Sequence, residues 1–222
     1  MRIRNAPGRC SGIWQKSAAE LSDAELLAIL LGPGPAGGRA MHIAREALSE
    51  WGGIRGVFAH SKELARSTKG VGPAGVARLE AARELVLRQL RAELQGKTIL
   101  SGSAEAKQYL QARYGGDPHE SFVCVYLNNK HHVVNIEVLF RGTIDGAPVY
   151  PREVVKRCLY FNAAAVIFAH NHPSGVAEPS EADITVTRRL QAALNTVDIR
   201  VLDHLVLAEQ DVVSLAERRL MV

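Results

Sequence analysis

The sequence contains few cysteines and none of the long apolar runs that mark a membrane-spanning protein. Its three cysteines, Cys10, Cys124 and Cys158, are odd in number and form no Cys-x-x-Cys pair, so neither a disulfide framework nor a cysteine-ligated zinc site is indicated. No run of about 18 apolar residues occurs, and residues 1–8 lack the apolar stretch of a secretory signal. We therefore expect a cytosolic protein without a membrane partner.

What is present is the composition of an ordinary globular protein. Hydrophobic residues make up 47% of the 222 positions and charged residues 23%, which leaves enough apolar surface for packed cores. The length is comfortable for two domains. Cys124 and Cys158 stand in apolar surroundings and are predicted to be small buried residues.

Positive charge is concentrated in the front half of the chain. Residues 1–97 contain 15 Lys and Arg against 9 Asp and Glu, a net charge of +6, whereas residues 98–222 contain 12 against 14, a net charge of −2. This asymmetry suggests different partners for the two halves. Six charges are also compatible with an ordinary solvated surface, so the asymmetry alone does not identify a partner.

The front half is predicted to be helical. Helices are expected over residues 21–31, 39–48, 61–66 and 74–94, because capping residues and Gly-rich turns bound segments with helical periodicity. The longest is amphipathic, and its apolar face is predicted at Val76, Leu79, Leu85, Val86 and Leu90.

The back half changes to strands that alternate with helices. The domain boundary is predicted at Gln95-Gly96-Lys97, which separates a domain of residues 1–96 from one of residues 98–222. Strands are expected over residues 122–127, 132–140, 163–169 and 199–208, and helices over residues 104–114, 151–162 and 181–195. This order predicts a mixed sheet with helices around it.

A short segment near residue 170 carries residues typical of a metal site. It runs Ala169-His170-Asn171-His172-Pro173-Ser174-Gly175 and follows a strand that is predicted to be buried. Because alternate side chains of a strand point the same way, about 7 Å apart, His170 and His172 can reach one metal ion. Asp183, in the first turn of the next predicted helix, can supply a third ligand.

Two imidazoles and one carboxylate indicate catalytic rather than structural zinc, because they leave a fourth tetrahedral position for water. Zinc lowers the pKa of that water to about 7 and makes it a nucleophile near neutral pH.

The histidines and the segment of residues 180–183 each also have an ordinary structural interpretation. A lone histidine at a strand end is usually structural, and Ser180-Glu181-Ala182-Asp183 is a capping box that starts a helix. The combination favours the metal site, but it does not reveal the general base that a hydrolase needs.

Two other enzyme classes share a superficial feature with this segment. The tripeptide His170-Asn171-His172 spells the name of a nuclease class, but that site spreads its residues over a hairpin and a helix. A zinc nucleobase deaminase needs a Pro-Cys-x-x-Cys segment, which the sequence does not contain. Neither class is indicated.

At these positions the sequence resembles the bacterial RadC (UPF0758) family, whose C-terminal half belongs to the JAMM (MPN+) metalloprotease group. The JAMM spacing is His-x-His-Pro, six residues, then Ser-x-x-Asp, and here residues 174–179 are the six. Residues 21–28, 151–154 and 202–204 also match the family. The resemblance implies an α+β (mixed α/β) fold, in which a helical helix-hairpin-helix domain precedes a JAMM/MPN (cytidine-deaminase-like) mixed-sheet domain.

The resemblance also implies roles for individual residues. In JAMM proteases a glutamate just before the first core strand is the general base, and Glu120 occupies that place; Glu137 and Glu153 are its competitors. The Ser180 hydroxyl would donate to the developing oxyanion. His204 is interpreted as structural, or as a support for a ligand, rather than as a ligand.

Two hypotheses follow for the function. The first is a metallopeptidase or isopeptidase that uses Zn²⁺ held by His170, His172 and Asp183 to cleave a peptide or isopeptide bond. The second is a DNA-repair-associated protein whose front domain binds DNA and whose zinc domain is a scaffold or nuclease. In helix-hairpin-helix modules a Gly-x-Gly turn donates backbone N–H groups to a phosphate, and Gly70-Val71-Gly72 has that form. Such a module can equally serve packing or dimerisation.

Overall fold

The computed structural model describes residues 17–32, 39–94, 98–99, 103–142 and 149–221. The chain divides into two compact units, residues 1–86 and residues 87–222. The predicted boundary at residues 95–97 lies outside the described residues and therefore remains a prediction. Across the described residues, every helix is too short or too polar to cross a bilayer.

The first unit is built from helices with short connections. After a 3-10 turn at Ala18–Glu20 come α1 (Asp23–Leu31), α2 (Arg39–Glu50), α3 (Ile54–Ala59), α4 (Ser61–Ser67) and the beginning of α5 (Pro73–Leu94). Ser22 caps α1, because its Oγ accepts a hydrogen bond from the backbone N–H of Glu25 while the Glu25 carboxylate accepts the N–H of Ser22. The core of this unit is aliphatic and fully buried at Leu27, Ala44, Ala47, Val57, Leu64 and Leu79.

The turn between α4 and α5 contains the Gly-Val-Gly segment. Gly70 has a φ of +109°, a conformation that side chains rarely adopt, and a Cβ added there would lie 2.6 Å from Ile43 Cδ1. The backbone conformation therefore favours glycine at this position, whether or not the turn contacts a phosphate. DNA binding by this unit remains a prediction.

The apolar face predicted for helix α5 is only partly buried. Leu79 is buried, but Leu85 and Val86 are 67% and 55% exposed, so the prediction was wrong at these two positions. Leu79 belongs to the core of the first unit, whereas Leu90 and Leu94 pack in a core of the second. One helix therefore contributes residues to both cores, and Leu85 and Val86 belong to neither.

The second unit contains a five-stranded mixed sheet. Its strands are β1 (Ser121–Leu127), β2 (Val133–Arg141), β3 (Ala165–Asn171), β4 (Arg200–Leu207) and β5 (Val212–Ser214), in the order β2-β1-β3-β4-β5. Among the strands that the structure describes, only β3 and β4 pair in parallel. Helices α6 (Ala104–Tyr114), α7 (Pro151–Tyr160) and α8 (Glu181–Asn195) complete the unit. The α+β prediction is confirmed.

Apolar side chains cover both faces of the sheet. One face, with Val123, Val125, Ile167 and Ala169, packs against α6. The opposite face, with Phe122, Cys124, Tyr126 and Phe168, packs against α7 and α8. Strands β1 and β3 are buried at every position, as expected for strands covered on both sides. The predicted burial of Cys124 and Cys158 is confirmed.

The predicted elements of this unit differ from the observed ones mainly at their ends. Helices α6 and α8 have the predicted bounds, while α7 ends two residues earlier than expected. Strand β3 extends to Asn171, so His170 lies inside the strand and His172 directly after it. The short elements α3 and β5 were not predicted.

Candidate metal centre

The structure brings together the three predicted metal ligands. His170 is the second-last residue of the central strand β3 and is only 2% exposed. His172 follows the strand, and Asp183 lies in the first turn of α8. Their ligand atoms all lie within 4.8 Å of one another. These three residues, the ligand cluster, are the one group of possible metal ligands found among the described residues.

The distances between these atoms suit a small tetrahedral cation. His170 Nε2 lies 2.9 Å from His172 Nε2 and 3.2 Å from Asp183 Oδ1, and His172 Nε2 lies 3.6 Å from Asp183 Oδ2. Zinc with bonds of about 2.0–2.1 Å requires neighbouring tetrahedral ligands about 3.3 Å apart. The observed distances bracket this value, so the three residues fit zinc.

The loop after β3 fixes the orientation of His172. Its Nδ1 lies 2.9 Å from the carbonyl oxygen of Val176, and because a carbonyl can only accept, the imidazole must donate. In the neutral ring this leaves the lone pair on Nε2, which faces the other two ligands. Gly175 makes the turn possible with a φ of +81°, and buried Ala177 anchors the loop to the sheet.

The first turn of α8 fixes the carboxylate of Asp183. The Ser180 Oγ donates to Asp183 Oδ2 at 2.6 Å and accepts the Asp183 N–H at 3.2 Å. The backbone N–H of Ser180 also donates to Oδ2, at 2.7 Å. The capping box therefore exists, and it holds the same carboxylate that faces the histidines.

Electrostatics at the site favour a positive charge. The nearby Asp183 carboxylate raises the pKa of His172, and the charge of Glu120 adds to this rise. Burial acts to raise the pKa of Asp183, but the imidazoles of His170 and His172 beside it hold it well below its usual range. The carboxylate thus stays ionised, and a cation or proton shared with the histidines neutralises it.

His204 lies behind His170 rather than in the ligand cluster. Its Nε2 is 2.8 Å from His170 Nδ1, and its Nδ1 is 2.5 Å from Thr187 Oγ1. The ring is fully buried, with Phe122 and Phe168 at its sides. Burial, followed by the charge of His170, lowers the pKa of His204 well below its usual range.

Glu120 precedes β1 at the same end of the sheet as the histidines. In the antiparallel pairing of β1 with β3, Phe122 lies opposite His170. Glu120 comes two residues before Phe122, and its charge acts on the imidazole of His172. Glu120 is half-buried.

The segment that carries Glu120 is held by Asn171. The Asn171 Oδ1 accepts the N–H of Ser121 at 2.8 Å. Its Nδ2 donates to the carbonyl oxygens of Asp117 and His119 at 3.0 and 3.1 Å. Because strand side chains alternate, Asn171 points away from the face of its two histidine neighbours and toward this segment. It fixes the backbone on both sides of Glu120.

The competing glutamates lie in other environments. Glu137 accepts two hydrogen bonds from Arg157, at 2.7 and 2.6 Å, and one from the Tyr126 hydroxyl at 2.7 Å. The Arg157 hydrogen bonds lower the pKa of Glu137 below its usual value. Glu153 pairs with Arg152 at 3.5 Å. Neither is part of the ligand cluster.

Sequence reasoning missed Asn171 and Thr187. In the sequence, Asn171 stands out only as the middle residue of the tripeptide His170-Asn171-His172. A polar residue at the end of a buried strand nevertheless indicates that its side chain has hydrogen-bond partners. Thr187 follows Asp183 by four residues and so shares its helix face. Its partner His204 comes from a different strand, which the sequence does not place beside β3.

The fold and the site define an α+β domain of the JAB/MPN class with a His-His-Asp cluster at one end of its central strands. Comparison with known families agrees: residues 100–220 match the RadC-like JAB domain, and residues 13–77 match the UPF0758 N-terminal family. The chain belongs to the RadC (UPF0758) family.

Relatives cover nearly the whole chain. A UPF0758 protein of Marinobacter nauticus is 52% identical over 92% of this chain and 91% of its own length. UPF0758 proteins of Azotobacter vinelandii and Nitrosomonas eutropha are 47% and 49% identical, over 92% and 93% of this chain and 91% and 92% of their own lengths. These names specify no activity.

Proposed function

We propose that this chain is a zinc-dependent hydrolase of peptide or isopeptide bonds. The observation that carries the proposal is the convergence of two imidazole Nε2 atoms and one carboxylate within 4.8 Å. The groups around them hold these atoms in place, since Val176 accepts from the far nitrogen of His172 and Ser180 caps Asp183. Three electron-pair donors aimed at one point are the arrangement that binds a small cation such as zinc.

His170, His172 and Asp183 would hold the zinc ion, and three protein ligands leave a position open for reactants. Bound there, zinc supplies Lewis acidity, which polarises a carbonyl and makes water nucleophilic near neutral pH. His172 and Asp183 are 21% and 15% exposed, so solvent and substrate reach the cluster from their side.

Glu120 has the proton-transfer role in this proposal. Its carboxylate removes a proton from the attacking water as the new C–O bond forms, and returns a proton to the leaving amine nitrogen as the C–N bond breaks. Its position two residues before Phe122, which pairs with His170, and the effect of its charge on His172 support this assignment. Ser180 is proposed to stabilise the oxyanion, with its hydroxyl turning from the Asp183 carboxylate to the substrate.

The proposal is tested by hydrolysis of two defined peptide pools. One contains linear peptides and the other contains peptides joined through lysine side chains, and newly formed amino groups are counted after incubation with zinc-loaded protein. Cleavage of either pool, lost on chelation and restored by zinc, would support the proposal. Bound zinc without cleavage of either pool would favour the alternative in which the domain is a scaffold.

Replacing Asn171 by Ala is expected to lower turnover about 100-fold while the zinc content stays unchanged. The reason is that Asn171 fixes the segment carrying Glu120, and a small displacement of a catalytic group costs about this much. Hydrolysis and zinc content are measured on the same sample.

Asn128 provides the matched control for this variant. It lies at the other end of β1, and its Oδ1 accepts the N–H groups of Lys130 and His132 at 2.9 and 3.0 Å. Asn128→Ala removes a similar set of hydrogen bonds far from the cluster and should keep normal turnover. Equal turnover in the two variants would show that Asn171 has no part in placing Glu120.

A further inference from the structure

We infer that Thr187 and His204 set the tautomer of the metal ligand His170, so that its Nε2 carries a lone pair toward the cluster. The inference rests on the proposed zinc site and deepens it, since it identifies what makes His170 competent to bind the ion. The two residues act through His170 and are positioning residues.

The backbone carbonyl of Asp183 can only accept a hydrogen bond, and this fixes which atoms donate between Thr187, His204 and His170. The Thr187 Oγ1 lies 2.5 Å from the carbonyl oxygen of Asp183, a contact that is attractive only if the hydroxyl donates its single hydrogen there. The same oxygen lies 2.5 Å from His204 Nδ1. With its hydrogen used, Thr187 must accept, so His204 carries its proton on Nδ1.

The rest of the chain of hydrogen bonds is then determined. His204 is fully buried between the rings of Phe122 and Phe168, where a second proton would leave a costly buried charge. With its one proton on Nδ1, the ring has a lone pair on Nε2, which lies 2.8 Å from His170 Nδ1. His170 must therefore donate from Nδ1, and its own lone pair is left on Nε2. That atom lies 2.9 Å from His172 Nε2 and 3.2 Å from Asp183 Oδ1. The opposite direction would put a proton on His170 Nε2 and block metal binding.

A register shift between β3 and β4 places His204 beside His170. Along the β3–β4 pair, Val166 lies opposite Val201 but Ile167 lies opposite Asp203, so Leu202 is an extra residue. The shift aligns His204 with Phe168 and turns it to the face of the sheet that carries His170. Packing against Phe122 and Phe168 then holds the ring.

Asp183 is connected to His170 in two ways. Its carboxylate faces His170 Nε2 directly, and its backbone carbonyl begins the hydrogen-bond chain that reaches His170 Nδ1 through Thr187 and His204. Helix α8 therefore provides one ligand and sets the protonation of another. Thr187 is only 1% exposed, so water does not replace its hydroxyl.

The first test reads the tautomers directly by two-bond ¹H–¹⁵N correlation of the histidine side chains in chelator-treated, metal-free protein. Protons on Nδ1 in both His170 and His204 are expected. A proton on Nε2 of His204 would overturn the inference. This measurement does not depend on zinc, so failure of the proposed function and failure of this inference are distinguishable.

The second test compares zinc affinities by competition with a chromogenic chelator. Thr187→Val keeps the shape of the side chain without the hydroxyl and should weaken zinc binding about 10- to 100-fold, while Thr187→Ser should restore it. Thr196→Val is the matched control, because Thr196 donates to a helix carbonyl, that of Ala193, at 2.6 Å but lies at the far end of α8. Zinc affinity of Thr187→Val within twofold of the wild type would contradict the inference.

Discussion

Replacing Glu120 by Gln should lower hydrolysis by about 100- to 10,000-fold, the range that general acid–base catalysis contributes, and leave the zinc content at its wild-type value. Gln keeps the size and a hydrogen-bonding oxygen of Glu but cannot take a proton from water. The zinc content is unaffected because His170, His172 and Asp183 form the ligand cluster without Glu120. Turnover of both peptide pools and metal content are the two measurements.

Glu153→Gln is the matched control for that variant. Glu153 competed with Glu120 for the role of base, and the structure places it in the first turn of α7, paired with Arg152. The same change of a carboxylate to an amide should leave turnover near the wild-type rate there. If Glu120→Gln were as active as Glu153→Gln, proton transfer would belong to another group.

Replacing Asp203 by Ala should destabilise the folded protein by roughly 3 to 5 kcal/mol. Asp203 is fully buried, and its carboxylate accepts from the backbone N–H of His204 at 2.7 Å, from the Ser214 hydroxyl at 2.7 Å and from the N–H of Ala216 at 3.2 Å. Without the carboxylate these donors lose their partner in a water-free interior. Urea unfolding followed by circular dichroism measures the loss.

The control for this substitution is Asp211→Ala. Asp211 also accepts the N–H of the next residue, Val212, at 2.8 Å, but it is exposed, so water replaces the lost bond. A change of at most about 0.5 kcal/mol is expected there. Equal stability of the two variants would mean that the buried hydrogen bonds of Asp203 contribute little.

The ligand cluster was predictable because each of its members follows a local rule. The spacing of His170 and His172 places both on one face of a strand, and a capping box starting at Ser180 places Asp183 in the first turn of a helix. These rules need no knowledge of which strands are neighbours. The helix α8 and the α+β fold were predictable for the same reason, since periodicity and capping are local.

The contacts that support the cluster were not predictable in this way. His204 meets His170 only because β4 pairs with β3 and because an extra residue shifts their register. Asn171 holds the segment before β1 only because β1 is the other neighbour of β3. Strand order depends on the packing of the whole sheet, which no short stretch of sequence determines.

Helix α5 shows a different limit of sequence reasoning. A continuous helical period predicts one apolar face, yet Leu85 and Val86 are exposed because the helix leaves one core before it joins another. Helix α3 was missed because its six residues are too few to show a period, and Gly53 makes no side-chain capping bond.

The most direct test of the central claim is the amount of zinc bound per chain, measured by elemental analysis of the purified, zinc-loaded protein and of a His170→Ala/His172→Ala double variant. About one zinc per wild-type chain is expected, because the three ligands define a single site, and none is expected in the double variant. Zinc absent from the wild type after loading, or present equally in the folded double variant, would contradict the account.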